Sequence, residues 1–256
     1  MSTLLETRGL GKSFGGLVAV HDFDVTIAER ELVGLIGPNG AGKTTVFNLV
    51  TGMYVPTTGT IRLSGREIGR QKPYVIYQRG VARTFQNIRL FKELSVLDNI
   101  RVAFHHRGET GVFGTLVRSR GFRNDEQRAT GRALELLATF GLEGRRDELA
   151  RNLPYGEQRR LEIARALVAE PKLLLLDEPA AGMNPFEVGQ LMELIHFVHE
   201  QFKLTVFLIE HQMKVVMGVC QRIVVMDFGG IIAQGTPEAV QSDPRVVEAY
   251  LGKVEK

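Results

Sequence analysis

Several features are scarce in this 256-residue sequence, which has no tryptophan and a single cysteine, Cys220. One cysteine excludes a disulfide framework or a cysteine-based metal site, and it is typical of a reducing compartment. The apolar runs are short, the best being 173–176 and 223–226. A membrane-spanning helix needs ~20 consecutive apolar residues, and the N-terminus lacks the pattern of a signal peptide. We therefore expect a cytoplasmic protein without membrane-spanning segments.

An excess of charge of one sign is also lacking. The chain has 32 Lys and Arg against 29 Asp and Glu, a net charge of +3. That excess is too small to indicate nucleic acid as a partner. Hydrophobic residues make up 44% of the chain, which is enough apolar surface to exclude disorder of the whole chain. The composition predicts a folded protein of one large or two small domains.

Strand and helix patterns alternate along the chain, which predicts an α/β fold with a largely parallel sheet. The predicted strands are 31–37, 60–64, 172–177, 204–209, and 222–227 with 231–234 as a hairpin. The predicted helices are 43–52, one capped by Ser95, one capped by Asn124, 156–170, 187–201, and one capped by Thr236. The pattern fails over 105–124, where we expect a long loop or a short-helix insertion.

A phosphate loop is the most specific motif. Residues 37–44, GPNGAGKT, fit G-x-x-x-x-G-K-[ST], with a predicted strand before and a helix after. Glycines let backbone N–H groups turn toward phosphate oxygens at a helix N-terminus. The residues expected to bind the nucleotide here are Gly37, Pro38, Asn39, Gly40, Ala41, Gly42, Lys43, Thr44 and Thr45. Lys43 is expected to reach the β- and γ-phosphates and Thr44 to ligate Mg²⁺; the alternative is a glycine-rich turn without a ligand.

Two carboxylates follow the predicted strand 172–177. Asp177 and Glu178 come at its C-terminal end, which is where α/β sheets bind ligands. We expect Asp177 to hold Mg²⁺ and Glu178 to orient and deprotonate the attacking water. The alternative is a pair of acids in a turn between strand and loop, which would be favoured if no phosphate loop preceded them.

Taken in order, these and further motifs resemble the nucleotide-binding subunit of ABC transporters. Gln86, in RTFQ at 83–86, is similar to the family's Q-loop, and LPYGEQRR at 153–160 stands in place of the signature. Asn184 stands where the family has the D-loop aspartate, and His211 resembles the switch histidine. Phe14 stands where the family has an aromatic residue that stacks on adenine.

The resemblance implies a fold and a set of roles. The fold is a P-loop NTPase core with an N-terminal antiparallel β region, about 1–87 and 171–256, and an inserted helical subdomain, about 88–170. Gln86 would contact Mg²⁺ and the water, and His211 the γ-phosphate. Phe14 would stack on adenine beside Val20. The signature residues implied to meet ATP in a dimer are Tyr155, Gly156 and Glu157. Alternatives remain a polar loop residue for Gln86, a partly buried side chain for His211 and a core residue for Phe14.

Within the family, the chain resembles the ATP-binding subunits of branched-chain amino acid importers. The segments that carry this likeness are 83–91, 153–165, 180–185 and 248–252. The likeness implies a peripheral protein at the cytoplasmic face of the membrane that couples ATP hydrolysis to amino acid uptake. Its implied partners are permease subunits, a second related ATPase or a second copy in a head-to-tail dimer, and indirectly a separate binding protein.

Two departures from the family pattern bear on this interpretation. Pro154 and Tyr155 replace the Ser and first Gly of the usual LSGGQ, and proline offers neither a hydroxyl nor an N–H. Asn184 replaces an aspartate. We interpret both as asymmetry between two ATP sites. The open alternatives are an ABC ATPase for lipid or polysaccharide export, a soluble ABC protein, and a nucleotide-binding regulator without turnover.

Overall fold

The computed structural model describes residues 2–104 and 120–251. They fall into two compact units, Met1–Gln86 with Lys172–Lys256, and Asn87–Pro171. Most of the insertion expected at 105–124 lies outside the described residues.

The first unit contains all eleven strands that the described residues form, arranged in two sheets. The strands are β1 (Thr3–Phe14), β2 (Leu17–Phe23), β3 (Thr26–Ala28), β4 (Leu32–Ile36), β5 (Thr58–Leu63), β6 (Arg66–Glu67), β7 (Val81–Arg83), β8 (Leu173–Asp177), β9 (Thr205–Ile209), β10 (Arg222–Asp227) and β11 (Gly230–Gly235). The smaller sheet has the order β2–β1–β5–β6, with β3 also paired to β1, and every pairing in it is antiparallel.

The larger sheet has the order β11–β10–β4–β9–β8–β7. All its pairings are parallel except that between β10 and β11. Strands β4, β8 and β9 are buried at every position, as continuous apolar runs are in sheets covered on both faces. Because parallel strands end at one edge, the segments after β4, β7, β8 and β9 all emerge together. The predicted α/β fold with an antiparallel N-terminal region is confirmed.

Nine α-helices lie within the described ranges. Those of the first unit are α1 (Lys43–Val50), α2 (Pro73–Gln78), α6 (Pro185–Phe202), α7 (Met213–Val219), α8 (Pro237–Gln241) and α9 (Pro244–Leu251); those of the second are α3 (Val96–Phe104), α4 (Arg120–Thr139) and α5 (Tyr155–Leu167). The predicted caps Ser95 and Thr236 are confirmed, since each side-chain oxygen accepts a backbone N–H in the first turn.

Two expectations about local structure are wrong. Asn124 does not cap a helix: it lies inside α4, which already includes residue 120. The apolar spacing that predicts this helix lies further along the chain and does not fix the residue at which the helix begins. The second concerns His199: no acid or cysteine stands at ligand spacing from it, so the sequence predicts a surface histidine. Its side chain is instead 7% exposed, and its Nε2 lies 3.0 Å from the carbonyl oxygen of Arg30.

The second unit is held together by buried polar contacts as well as apolar packing. Asn99 is fully buried, accepts the N–H of Phe91 at 2.9 Å and donates to its carbonyl oxygen at 3.0 Å. Arg159 and Glu162, one turn apart on α5, form an ion pair at 2.6 Å with both side chains nearly inaccessible.

Across 2–104 and 120–251, no helix is long and apolar enough to cross a membrane.

Candidate nucleotide site

The loop between β4 and α1 is built so that only glycine fits at two of its positions. Gly37 has φ +151°, and a Cβ there would lie 2.1 Å from the carbonyl oxygen of Met226. Gly42 has φ +101°, and a Cβ there would lie 2.5 Å from the carbonyl oxygen of Ala19. Both contacts are far inside van der Waals distance, so these two glycines are required by the packing of the loop against neighbouring backbone.

Lys43, the first residue of α1, lies back over the loop. Its side chain is 5% exposed, and Nζ donates to the carbonyl oxygens of Gly37 at 2.7 Å and Pro38 at 2.8 Å. Burial lowers the pKa of Lys43, and the nearby carboxylate of Glu178 opposes that shift. Within the described chain no side chain caps α1, so the first N–H groups of this helix have no side-chain acceptor.

The other loop residues differ in exposure. Asn39, Gly40 and Thr44 are exposed, as residues that meet a ligand from solvent should be. Pro38 and Thr45 are half-buried, while Ala41 is 2% exposed and belongs to the core under the loop. The nine residues expected here therefore form one continuous loop and helix start, with Ala41 supporting it from below.

Asp177, at the end of β8, is paired with an arginine that the sequence analysis did not single out. Arg83 Nη2 lies 2.6 Å from Asp177 Oδ2, and both side chains are less than one-tenth exposed. The other guanidinium nitrogen, Nη1, donates to Asn48 Oδ1 at 2.8 Å, and the group lies over the rings of Phe47 and Phe85. The only sequence signal was the position of Arg83 three residues before Gln86.

We expect Arg83→Met to destabilise the fold by about 3–5 kcal/mol, because it would leave the buried charge of Asp177 without its partner. The pair Arg8–Glu6 provides a matched control. It has the same 2.6 Å separation, but Arg8 is 70% exposed. Arg8→Met should cost no more than about 1 kcal/mol. Denaturant unfolding measures the loss of unfolding free energy in each variant. Equal losses in the two variants would contradict the claim that burial makes the Arg83–Asp177 pair important for stability.

Glu178 joins the other two predicted catalytic residues. Its Oε2 accepts a hydrogen bond from Gln86 Nε2 at 2.6 Å, and its Oε1 lies 2.5 Å from His211 Nε2. Glu178 has φ +46°, a left-handed conformation uncommon for a non-glycine residue and more frequent at functional sites. The structure thus brings together residues that lie 92 and 33 positions apart in the sequence.

A second residue missed in the sequence is Glu210, which follows β9 and is 2% exposed. Its Oε1 accepts the N–H of Ala180, and its Oε2 accepts those of His211 and Gln212. Burial in the first place, and the Glu210 carboxylate in the second, raise the pKa of the Cys220 thiol to about 12. Cys220 is therefore a buried cysteine whose thiol stays protonated, which makes it a poor nucleophile.

Phe14 lies at the end of β1 and is 41% exposed, which excludes a core role. Its ring meets that of Tyr54 edge to face, with centroids 5.1 Å apart, and Lys12 Nζ lies 5.0 Å from its centre. Val20, by contrast, is 1% exposed, and its Cγ2 lies 3.3 Å from the place that a Cβ on Gly42 would take. Val20 thus packs beneath the phosphate loop.

The signature residues lie in the second unit, at the N-terminus of α5. Pro154 precedes the helix, and no side chain of the described residues caps it. Tyr155 is exposed and Gly156 half-buried, while the carboxylate of Glu157 pairs with Arg145 at 2.9 Å. The backbone N–H groups of this first turn form the kind of helix end that attracts anions.

Asn184 has a structural role that the sequence comparison with aspartate did not indicate. It caps α6 by accepting the N–H groups of Phe186 and Glu187 at 3.0 Å, while the Glu187 carboxylate accepts the N–H of Asn184 at 2.9 Å. This reciprocal capping box is one that asparagine and aspartate both support.

Comparison with known proteins identifies the family. The model of the family described as ABC transporter matches residues 20–181, and that described as branched-chain amino acid ATP-binding cassette transporter matches residues 231–256. The chain belongs to the ABC transporter family and is an ATP-binding cassette ATPase.

Individual relatives agree with this assignment. The chain is 48% identical to the high-affinity branched-chain amino acid transport ATP-binding protein LivG of Salmonella typhimurium, over 98% of each chain. It is 35% identical to the lipopolysaccharide export system ATP-binding protein LptB of Escherichia coli, over 97% of each chain. Among solved structures, it matches the ADP conformation of MJ1267, an ATP-binding cassette of an ABC transporter, with TM-score 0.86 and 30% identity, over 99% of this chain and 100% of that one.

Proposed function

We propose that the chain is the ATP-hydrolysing subunit of an ABC importer for branched-chain or other hydrophobic amino acids. The observation that carries the chemistry is the contact of Glu178 with both Gln86 and His211, beside Lys43 of the phosphate loop. The solute class is supported by the 48% identity to LivG and by the second family match at residues 231–256.

In the proposed reaction, the phosphate loop binds the β- and γ-phosphates through backbone N–H groups and Lys43 Nζ. Nζ would leave the carbonyl oxygens of Gly37 and Pro38 for phosphate oxygens, exchanging neutral acceptors for charged ones. Glu178 would accept a proton from the water that attacks the γ-phosphate. Gln86 would orient that water, and His211 would stabilise the charge that develops on the phosphate.

The donor set suits Mg²⁺, which prefers oxygen ligands. Arg83 engages Oδ2 of Asp177, so we propose Oδ1 for the metal, together with the exposed hydroxyl of Thr44. Gln86 donates a hydrogen bond to Glu178 through its amide nitrogen, so we propose its amide oxygen as a further ligand. Bound Mg²⁺ would neutralise phosphate charge during transfer. Asp177, Thr44 and Gln86 would hold the ion, and Glu178 would accept the proton.

We propose that two ATPase chains share the nucleotides, so that the helix N-terminus at Tyr155, Gly156 and Glu157 serves the site of a partner ATPase. Pro154 and Tyr155 would weaken that contribution, giving two unequal sites. When ATP binding closes the dimer of ATPase chains, the helical segment Asn87–Pro171 would transmit that movement to permease subunits at the cytoplasmic face of the membrane. A binding protein outside the membrane would select the solute.

Co-purification tests this assembly. The chain is tagged in its own host and isolated from membranes in mild detergent, and all bound proteins are identified by mass spectrometry. We expect two permease chains, a second ATPase and a solute-binding protein that binds leucine, isoleucine or valine. Recovery with an export permease instead, as the 35% identity to LptB allows, would contradict import while leaving the ATPase assignment in place.

Phe14→Ala should weaken ATP binding by about tenfold, because stacking of a base on an aromatic ring contributes about 1–3 kcal/mol. Phe14→Tyr, which keeps the ring, should bind ATP as the parent does. Leu17→Ala is the matched control, since Leu17 is an exposed apolar residue of the adjoining strand. Isothermal titration with a non-hydrolysable ATP analogue measures all three. Equal affinity for Phe14→Ala and the parent would remove Phe14 from the adenine site.

A further inference from the structure

Glu210 carries a buried carboxylate that the proposed reaction does not use directly. It follows β9, directly before His211, and its side chain is 2% exposed. We propose that Glu210 is a positioning residue that fixes the loop of Glu178 against the loop of His211, and so sets the geometry of the Glu178–His211 pair. The inference deepens the proposed hydrolytic function and rests on it.

The two carboxylate oxygens of Glu210 serve different loops. Oε1 accepts the N–H of Ala180 at 2.7 Å, which lies two residues after Glu178. Oε2 accepts the N–H of His211 at 2.8 Å and that of Gln212 at 3.1 Å. One oxygen therefore reaches across to the loop after β8, while the other orders the loop that carries Glu210 itself.

Two further hydrogen bonds strengthen the same connection. Gln212 Nε2 donates to the carbonyl oxygen of Ala180 at 3.1 Å, and the N–H of Glu178 donates to the carbonyl oxygen of Ile209 at 2.9 Å. Besides the Glu178–His211 contact itself, the segment 178–180 is thus held to 209–212 by three hydrogen bonds, one of which ends on the Glu210 carboxylate. Hydrogen bonds to ionised groups are shorter and roughly twice as strong as neutral ones.

The geometry gives this anchoring a consequence for rate. The Glu178 and His211 side chains meet at 2.5 Å, and each is carried by one of the two joined loops. A displacement of one loop by about 1 Å would misplace the base relative to the phosphate, and misplacements of that size cost about 10²-fold in rate. A neutral residue could fill the volume of Glu210, but it could not accept from both loops at once.

Glu210→Asp separates the two roles of the carboxylate. The shorter side chain can still accept from the adjacent N–H groups of its own loop, whereas it cannot reach the N–H of Ala180. We expect kcat for ATP to fall roughly 10- to 100-fold while KM changes by less than about threefold, as for loss of an interaction that matters in the transition state. Gln212→Ala, which removes the second connection to Ala180, should lower kcat in the same direction by a smaller factor.

The control is Glu31→Gln, elsewhere in the same unit. Glu31 is also a largely buried carboxylate that accepts a backbone N–H, that of Ala28, and it pairs with Arg222 at 2.6 Å. This substitution should leave kcat unchanged. A comparable decrease in Glu31→Gln would show that loss of any buried carboxylate slows the enzyme, and would overturn the assignment to Glu210.

A spectroscopic readout separates positioning from general stability and needs no ATP turnover. The imidazole resonances of the full-length chain are recorded after ¹⁵N labelling, with His211 assigned from His211→Ala. In Glu210→Asp the His211 signals should move away from those of the parent, while those of His21 and His196 stay in place. Unchanged His211 signals in Glu210→Asp would overturn the proposal, even where kcat falls. If the parent chain does not hydrolyse ATP but Glu210→Asp still shifts the His211 signals, the result would count against the proposed function alone.

A double-mutant cycle completes the test. Because Glu210 acts through the Glu178–His211 pair, Glu210→Asp should cost far less in kcat when His211 is already alanine. If the fold-decrease in kcat of the double variant equals the product of the two single decreases, Glu210 acts independently of His211, which would contradict the proposal. If Glu210→Asp does not fold, as circular dichroism would show, Gln212→Ala carries the same cycle and the same spectra, with the same two outcomes deciding.

Discussion

Glu178→Gln is expected to lower kcat for ATP hydrolysis about 10²- to 10⁴-fold, the range typical of removing a general base. Glutamine has nearly the same size and can still hydrogen-bond to Gln86 and His211, so the site should keep its shape. It cannot accept the proton of the attacking water, because its amide is not basic. ATP affinity should therefore stay within about threefold of the parent, since binding and chemistry are separated in this variant.

The measurement is single-turnover hydrolysis of labelled ATP, with affinity determined by titration on the same preparation. Glu193→Gln, an exposed glutamate on α6, is the matched control and should behave as the parent. Retention of most of the turnover in Glu178→Gln would remove Glu178 from the role of base. His211→Ala should also slow hydrolysis, because it removes a partner of Glu178 and the proposed phosphate contact.

Lys43→Ala has the second large expected effect, on binding rather than on chemistry. Lys43 Nζ now lies against two carbonyl oxygens of its own loop, so its charge is already positioned where the phosphates are proposed to lie. Hydrogen bonds of charged groups contribute about 1.5–3 kcal/mol, which corresponds to a loss of about 10- to 100-fold in ATP affinity. Adenosine, which carries no phosphate, should bind both forms equally weakly.

Calorimetric titration with ATP and with adenosine distinguishes the phosphate contact from general damage to the loop. Lys214→Ala provides the control, since Lys214 is an exposed lysine near the start of α7. ATP binding by Lys43→Ala with parental affinity would contradict the interpretation of residues 37–44 as a phosphate loop.

The parts of the site that the sequence predicted are those defined by local patterns. The phosphate loop is one continuous segment with fixed spacing, and Asp177 and Glu178 end a buried apolar run that is strand-like on its own. Glu178 and His211 each follow a predicted strand, and the ends of parallel strands gather at one edge. The role of Gln86 was implied only by the family resemblance, because no strand was predicted before it.

The parts that the sequence did not predict depend on contacts between distant residues. Arg83 acquires its importance from Asp177, 94 positions away, and Glu210 from the N–H of Ala180, 30 positions away. Neither contact leaves a periodic or motif signal. The buried position of His199 has the same origin, since the carbonyl oxygen of Arg30 that it contacts is 169 residues distant. Asn124 was misplaced because a polar residue near an expected helix start looks like a cap, while the helix in fact includes residue 120.

The most direct test of the account is solute uptake by the complete transporter. The complex that co-purifies with this chain is reconstituted into liposomes enclosing ATP, with its binding protein outside, and accumulation of labelled leucine is followed. We predict uptake that requires ATP and is abolished by Glu178→Gln, with labelled lysine left outside in both cases. ATP-dependent leucine accumulation that persists in Glu178→Gln, or a complex that hydrolyses ATP normally yet moves no hydrophobic amino acid, would contradict it.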